Sequence, residues 1–247
     1  MSELQLKPLI SYKGMVKSAD KLHDICFFYF PFHGLSFEDF FQYFPILCYV
    51  ESLIYQSDYD VESQKTSHSW TKTKEIILSL LKEMGWYDPK VEEILNKGDV
   101  YWDLELRMNR GERFTYEDLV KAMELRTTDF RILHAILHCL LNKPYDEELA
   151  NLFFPMEVIA DIEDDLRNYE KDVKNKSFNI YRMFIKYYGK EEAPKRLQRE
   201  LEKYENLLME RISSLSPEEQ ERVHGLFDKF REVYPKPKIP TPIEETP

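Results

Sequence analysis

Oxygen-bearing side chains recur along the stretch "ADIEDDLRNYEKD" at residues 160–172. If this stretch is helical, spacings of three and four residues place Asp161, Asp164, Asp165, Asn168 and Asp172 on one face. Like charges at these spacings destabilise a helix by roughly a few tenths of a kcal/mol per pair, and burial without counter-charge costs more. Mg²⁺ prefers oxygen ligands and bridges one or two carboxylates to substrate phosphates. The stretch therefore indicates a magnesium site for a phosphorylated substrate.

An acidic helix face that water solvates is the alternative interpretation of these residues. Arg167, Lys171 and Lys174 would then be its basic neighbours. The order of residues along the chain, rather than the number of acids, favours the metal site.

The segment "DDLRNYEKD" resembles the second metal motif of class I isoprenoid synthases, in the form found in terpene cyclases. Asp164 and Asp165 take its first two positions, and Asn168 takes the place of a Ser or Thr. Asp172 takes the place of the final Glu, and Lys171 stands where the family has a Lys. Asn168 and Asp172 both keep an oxygen atom that can bind a metal ion. By this resemblance, all four oxygen-bearing residues are metal ligands.

The resemblance covers roughly residues 115–213, because "KSFNIYRMFIKYYGKEEA" follows the motif in the order of the family. It implies an all-α fold, namely a single-domain helical bundle of the class I isoprenoid synthase type around a central cavity. It also implies several Mg²⁺ ions per active site and a prenyl diphosphate substrate. Homodimers are common in the family.

The family carries another acidic motif, on a helix that faces the first. The best candidate is "DYDVE", in which Asp58 and Glu62 match the first and fifth positions and Tyr59 replaces the second Asp. Glu51 is a further acid that could reach inward from the same helix. The alternative is a solvated helix end.

Cations must also bind the diphosphate that leaves. The segment "LRTTDFRILH" resembles the region that carries a diphosphate-binding Arg in terpene cyclases, so Arg126 is assigned that role, with Thr127 beside it and Arg131 as the fallback. A surface salt bridge is the alternative for either arginine. The resemblance assigns further diphosphate contacts to Lys171, Arg182, Arg231 and Tyr234.

These assignments imply a terpene synthase, a carbon-oxygen lyase that ionises an allylic diphosphate and cyclises or rearranges the resulting carbocation. A prenyltransferase of the same fold is one alternative, although "SQKTSHSW" lacks the Arg-Arg-Gly segment of chain elongases. A noncatalytic helical protein that binds a lipid or a partner is the other. The damaged first motif favours that third hypothesis.

The remaining metal-ligand residue types give weaker patterns. His134 and His138 have a spacing that could ligate zinc, but their apolar surroundings favour core histidines. The three cysteines match neither a disulfide framework nor a zinc site, so a reducing cytoplasm is expected. The net charge of −11 argues against binding to nucleic acid. No window supplies the roughly 20 apolar residues of a membrane helix.

Helical periodicity dominates the chain, and no strand pattern stands out. Helices are predicted near 37–62, 71–85, 89–97, 115–125, 128–142, 146–173, 176–188, 190–213 and 216–233. Predicted caps are Ser36, Thr115 and Ser216, and predicted stops are Gly85, Gly98 and Gly189. One all-helical domain is expected over 1–234. The Pro-rich tail 235–247 is expected to be extended or disordered.

Overall fold

The structure is a computed structural model that describes residues 10–64 and 68–244, apart from the side chains of 24–28, 61–64 and 68. The regular elements of this part are helices, which confirms the predicted all-α class. They are α1 (Tyr12–Phe28), a 3-10 helix (Phe30–His33), α2 (Phe37–Gln64), α3 (His68–Glu83), α4 (Pro89–Asn109), α5 (Tyr116–Leu125), α6 (Thr128–Leu140), α7 (Glu147–Asn175), α8 (Ile180–Tyr188), α9 (Ala193–Ser213) and α10 (Pro217–Val233). None of the described helices is both long enough and apolar enough to cross a membrane.

Capping motifs fix the helix starts that the sequence predicted. The Thr115 hydroxyl accepts the N–H of Asp118 at 3.1 Å, and the Asp118 carboxylate accepts the N–H of Thr115 at 3.0 Å. Ser216 and Glu219 form the same reciprocal pair at α10. Each pair satisfies amide donors that have no partner inside the helix.

Gly98 does not end a helix, contrary to the prediction, because α4 continues to Asn109. A Cβ atom at Gly98 would lie 2.3 Å from Cζ2 of the Trp70 side chain. The glycine therefore allows α4 to approach the buried Trp70 ring on α3.

The first helix, α1, was missed because its packed face combines small residues with the apolar Leu22. Gly14 and Ser18 are buried there, whereas Met15 is 49% exposed. The Ser18 hydroxyl donates to the carbonyl oxygen of Gly14 at 2.8 Å, and Ser52 of α2 donates to Ser18 at 3.1 Å. Small polar residues allow this close packing without a hydrophobic period in the sequence.

Contacts within the chain define two units. Unit 1 comprises Met1–Asp99 and Asp129–Tyr145, and unit 2 comprises Val100–Thr128 and Asp146–Pro247. In unit 1, α2 packs against α1 and α3, and α1 contacts the 3-10 helix. In unit 2, α7, α8 and α9 pack against one another, and α5 contacts α7 and α8.

The segment after α10 is bound to unit 2. Residues 235–244 have no helix or strand. The Tyr181 hydroxyl donates to the carbonyl oxygen of Pro240 at 2.7 Å, and the N–H of Ile243 donates to the Tyr169 hydroxyl oxygen at 3.1 Å. This part of the Pro-rich tail therefore has hydrogen-bond partners on α7 and α8.

Candidate functional site

A cation from the end of α5 meets the acidic face of α7. Arg126 directly follows α5, and its Nη2 lies 2.8 Å from Oδ1 of Asp165. Its Nε lies 3.4 Å from Oδ2 of Asp161, and the guanidinium carbon lies 5.3 Å from the centre of the Phe178 ring. Burial alone would lower the pKa of Arg126, but the nearby acids, with Asp165 foremost, hold that pKa well above its ordinary value. The guanidinium is therefore a fixed positive charge on this face.

The protein itself uses both carboxylate oxygens of Asp165. Oδ1 pairs with Arg126, and Oδ2 accepts the N–H of Ile180, the first residue of α8, at 2.5 Å. Burial raises the pKa of Asp165 to about 7, whereas Arg126 and the Ile180 N–H act to lower it. Each oxygen of Asp165 thus already has one partner within the protein, and its role as a metal ligand remains a prediction. It positions Arg126 and the start of α8.

Asn179, which the sequence analysis did not select, joins α7 to α8. Its Nδ2 donates to the carbonyl oxygen of Asp165 at 2.7 Å and to Oδ2 of Asp172 at 3.0 Å. Its Oδ1 accepts the N–H of Arg182 at 3.2 Å, which caps α8. An Asn directly before an amphipathic run is a helix N-cap signal, so the sequence contained a clue to this role.

Three predicted ligands on α7 are half-buried and fit a magnesium ion by donor type: Asp164, Asn168 and Asp172. Nδ2 of Asn168 donates to the carbonyl oxygen of Asp164 at 3.0 Å, a bond that does not use the amide oxygen. Burial raises the pKa of Asp172, although its hydrogen bond from Asn179 opposes this. A nearby divalent cation would also favour the ionised form of Asp172. Mg²⁺ usually takes one or two carboxylates and completes its shell with water and substrate phosphates.

Arg231 and Tyr234 lie on another side of α7. Nη1 of Arg231 is 2.6 Å from Oε2 of Glu163, and the Arg167 guanidinium lies 5.8 Å from the centre of the Tyr234 ring. Glu163 and Asp165 are two residues apart on a helix, so they point in nearly opposite directions. The structure therefore does not bring Arg231 and Tyr234 to the Asp165 face, where the sequence placed them.

The other predicted diphosphate residues also have separate surroundings. Arg182 is buried, and its Nη1 donates to the carbonyl oxygen of Ser177 at 2.9 Å. Lys171 is exposed and lines a groove of about 430 Å³, together with Lys174 of α7 and Pro240 of the tail. Thr127 is buried directly after Arg126. Arg126 contacts the α7 acids Asp161 and Asp165 directly.

The first predicted motif belongs to unit 1. Asp58 lies on α2, with Oδ2 3.8 Å from Nζ of Lys17. Glu62 is on the same helix, but its side chain lies outside the described side chains. Glu51 is buried within unit 1, and Arg131, the fallback for Arg126, is half-buried on α6. That Asp58 and Glu62 face the α7 motif remains a prediction.

No family model, curated protein or solved structure matches this chain. The resemblance to isoprenoid synthases therefore has no support beyond the sequence motifs.

The histidines give a second constellation, in unit 1. His134 and His138 are 1% and 3% exposed, which agrees with the prediction that they lie in the core. His33, at the end of the 3-10 helix, joins them, and its Nε2 lies 2.9 Å from Nε2 of His134. Burial, followed by the charges of His138 and His33, lowers the pKa of His134 well below its ordinary value. His33 was not predicted as part of this group because 101 residues separate it from His134 in the chain.

Proposed function

We propose that the protein is a Mg²⁺-dependent, terpene-synthase-like enzyme that ionises an allylic prenyl diphosphate, cyclises or rearranges the carbocation, and releases diphosphate. The supporting observation is the position of Arg126, 2.8 Å from Asp165 on the acidic face of α7. Ionisation of a diphosphate requires both a cation and oxygen ligands for metal at one place. A cytoplasmic location and a homodimer belong to the same proposal.

Asp164, Asn168 and Asp172 are the residues that would hold the ion. Bound there, Mg²⁺ would supply the positive charge that stabilises the leaving diphosphate. Arg126 would donate N–H groups to the same diphosphate, because a guanidinium forms paired hydrogen bonds with phosphate oxygens. Asp165 would keep the guanidinium oriented while the substrate binds.

Aromatic rings beside Arg126 could serve the carbocation. The Phe178 ring lies under the Arg126 guanidinium. The Tyr101 ring packs edge-on against the Phe178 ring, and the centres of these two rings are 6.3 Å apart. Both side chains are buried. A desolvated aromatic face stabilises a cation by about 0.5–2 kcal/mol. The rings also exclude water, which would otherwise capture the carbocation.

The test is diphosphate release from allylic prenyl diphosphates of graded chain length, with and without Mg²⁺, together with product analysis by gas chromatography and mass spectrometry. Asp172→Ala is expected to lower the rate by at least about 100-fold, because it removes a metal ligand. Glu170→Ala, an exposed acid on the same helix, is the matched control and is expected to keep the rate. A requirement for isopentenyl diphosphate would indicate the prenyltransferase alternative. No Mg²⁺-dependent release from any substrate would refute the proposal.

A noncatalytic role in binding a lipid or a partner is the second candidate. The observation in its favour is that Arg126, Asp161, Asp165 and Asn179 bind one another and adjacent backbone groups, as a structural network does. If Asp164→Ala and Asp172→Ala both leave Mg²⁺ affinity unchanged by calorimetry, and the wild type shows no turnover, this second function replaces the first.

A further inference from the structure

Three imidazole rings from two elements of unit 1 converge on one point. His134 and His138 are four residues apart on α6 and therefore share a face. His33 comes from the last position of the 3-10 helix, which Gly34 ends with a φ of 71°. The ring centres of His33 and His138 are 4.6 Å apart, and those of His134 and His138 are 4.8 Å apart.

The distances among the ring nitrogens suit a metal ion. One nitrogen from each ring can be chosen so that all three lie within 4.8 Å of one another. Zinc binds histidine nitrogen at about 2.0–2.1 Å, so tetrahedral geometry places two such nitrogens about 3.3 Å apart. The observed 2.9 Å between Nε2 of His33 and Nε2 of His134 is slightly shorter than this spacing. A metal ion would take the place of the hydrogen bond between these two nitrogens, and ring rotation would bring the His138 nitrogen, which lies within 4.8 Å of the other two, into the ligand shell.

The surroundings of the three rings also favour a bound metal. The Tyr29 ring stacks on His134 with centres 4.1 Å apart, and the Tyr145 ring lies 5.4 Å from that of His138. Aromatic packing of this kind fixes ring orientation and limits water, both of which tune a metal site. Among the side chains that the structure describes, no other group of three His, Cys, Asp or Glu residues is close enough to share one ion.

We propose that His33, His134 and His138 form a three-histidine site for a divalent transition metal ion of the zinc type, with water as the fourth ligand. Imidazole is a good ligand for zinc and a poor one for Mg²⁺, which takes oxygen. Three protein ligands with one open position match the ligand number of catalytic rather than structural zinc sites. The site would also link the 3-10 helix to α6. It is independent of the diphosphate site on α7.

The experiment measures zinc bound by the full-length protein after removal of any histidine tag. The protein is stripped with a chelator, dialysed against zinc and then against metal-free buffer, and its metal content is measured by mass spectrometry. The expected result is one zinc ion per chain. His33→Ala is expected to weaken zinc binding by more than about 100-fold, because changes outside the ligand shell already cost 10–100-fold. His33 is half-buried, so this variant is expected to fold, and far-ultraviolet circular dichroism checks that it does.

His224→Ala, an exposed histidine on α10, is the matched control and is expected to keep full zinc content. Asp164→Ala should also keep it, which separates this site from the magnesium site. A second measurement on the wild type avoids dependence on any variant: Co²⁺ should give the intense visible absorption of tetrahedral coordination. Absence of zinc from the dialysed wild type, or an unchanged affinity in folded His33→Ala, would overturn the proposal. An octahedral Co²⁺ spectrum would do the same.

Discussion

Units 1 and 2 bury ionisable side chains in different ways. In unit 1, burial raises the pKa of Glu51 well above its ordinary value and lowers that of His134, so both shifts favour the neutral form. In unit 2, Arg126 pairs with Asp165, and Arg231 pairs with the buried Glu163. These two buried groups of unit 1 are therefore shifted toward the neutral form, whereas the two buried acids of unit 2 are paired with arginines, although burial also raises the pKa of Asp165 to about 7.

The difference shows what each region can bind. Neutral imidazoles are the form that ligates transition metals, since protonated nitrogen has no lone pair to donate. Paired charges, in contrast, can exchange partners when an anion and its cations arrive together. The two proposed sites follow from this division, and substitutions that add or remove one charge test it most directly.

Loss of the Arg126 cation is expected to have the largest effect. Arg126→Ala removes the cation that pairs with the buried Asp165 and lies beside Asp161, which should lower the free energy of unfolding by about 3–5 kcal/mol. Urea unfolding at neutral pH measures this. Lys121→Ala, an exposed cation on α5, should change stability by less than about 0.5 kcal/mol. If both variants behave alike, charge pairing does not stabilise unit 2.

The next effect depends on pH and concerns Glu51. Burial first, and then Asp129, raise its pKa above the ordinary 4.5, while Lys17 and Lys21 oppose them. Above pH 4.5 the Glu51 carboxyl therefore keeps its proton in the folded state but loses it in the unfolded state. The free energy of unfolding consequently falls as pH rises from 4.5 toward the folded-state pKa. The loss is at most about 1.4 kcal/mol per pH unit.

Gln does not titrate, so Glu51→Gln removes this pH dependence. Between pH 5 and 7 the free energy of unfolding of the variant should therefore rise relative to that of the wild type by up to about 2–3 kcal/mol. Urea unfolding at the two pH values measures the gain. The exposed Glu83→Gln of α3 is the control and should show no such trend. A Glu51→Gln variant that loses stability at pH 7 would contradict a neutral carboxyl in unit 1.

A Glu→Gln substitution in unit 2, at Glu163, should change the free energy of unfolding in the opposite direction and by a smaller amount. Oε2 of Glu163 accepts hydrogen bonds from Arg231 at 2.6 Å and from Arg167 at 3.2 Å. Glu163→Gln weakens both bonds, so we expect a loss of about 1.5–2 kcal/mol in thermal or urea unfolding at pH 7. Both arginines are about 30% exposed, and water limits the cost. Equal signs for the two Glu→Gln changes would remove the distinction between the units.

Local signals explain which parts of the fold could be predicted from sequence. The cap at Thr115 needs only Asp118, three residues away, and is therefore visible in the sequence. The role of Gly98 depends on the Trp70 ring of another helix, and α1 packs through Gly14 and Ser18, which carry no hydrophobic signal. Those features require the folded chain.

The candidate site shows the same limit. The α7 acids were visible from their spacing, and the resemblance selected Arg126 as a diphosphate contact rather than as the ion-pair partner of those acids. The use of Asp165 by Arg126 and by the start of α8 was not visible, because it depends on how two helix ends meet. His33 was missed for the same reason, since a contact across 101 residues leaves no periodic trace.

The attachment of the C-terminus has a practical consequence. Among the described residues of α10, Val223 is buried, so the helix contributes little to the apolar core. It is held instead by the Arg231–Glu163 ion pair and by the tyrosine hydroxyls that bind residues 235–244. Salt screens exposed ion pairs, such as Lys190–Glu244 and Lys236–Glu205, but acts much less on the pair of Arg231 with the buried Glu163. Residues 235–244 should therefore become sensitive to proteases at an ionic strength that leaves the Arg231–Glu163 pair of α10 in place.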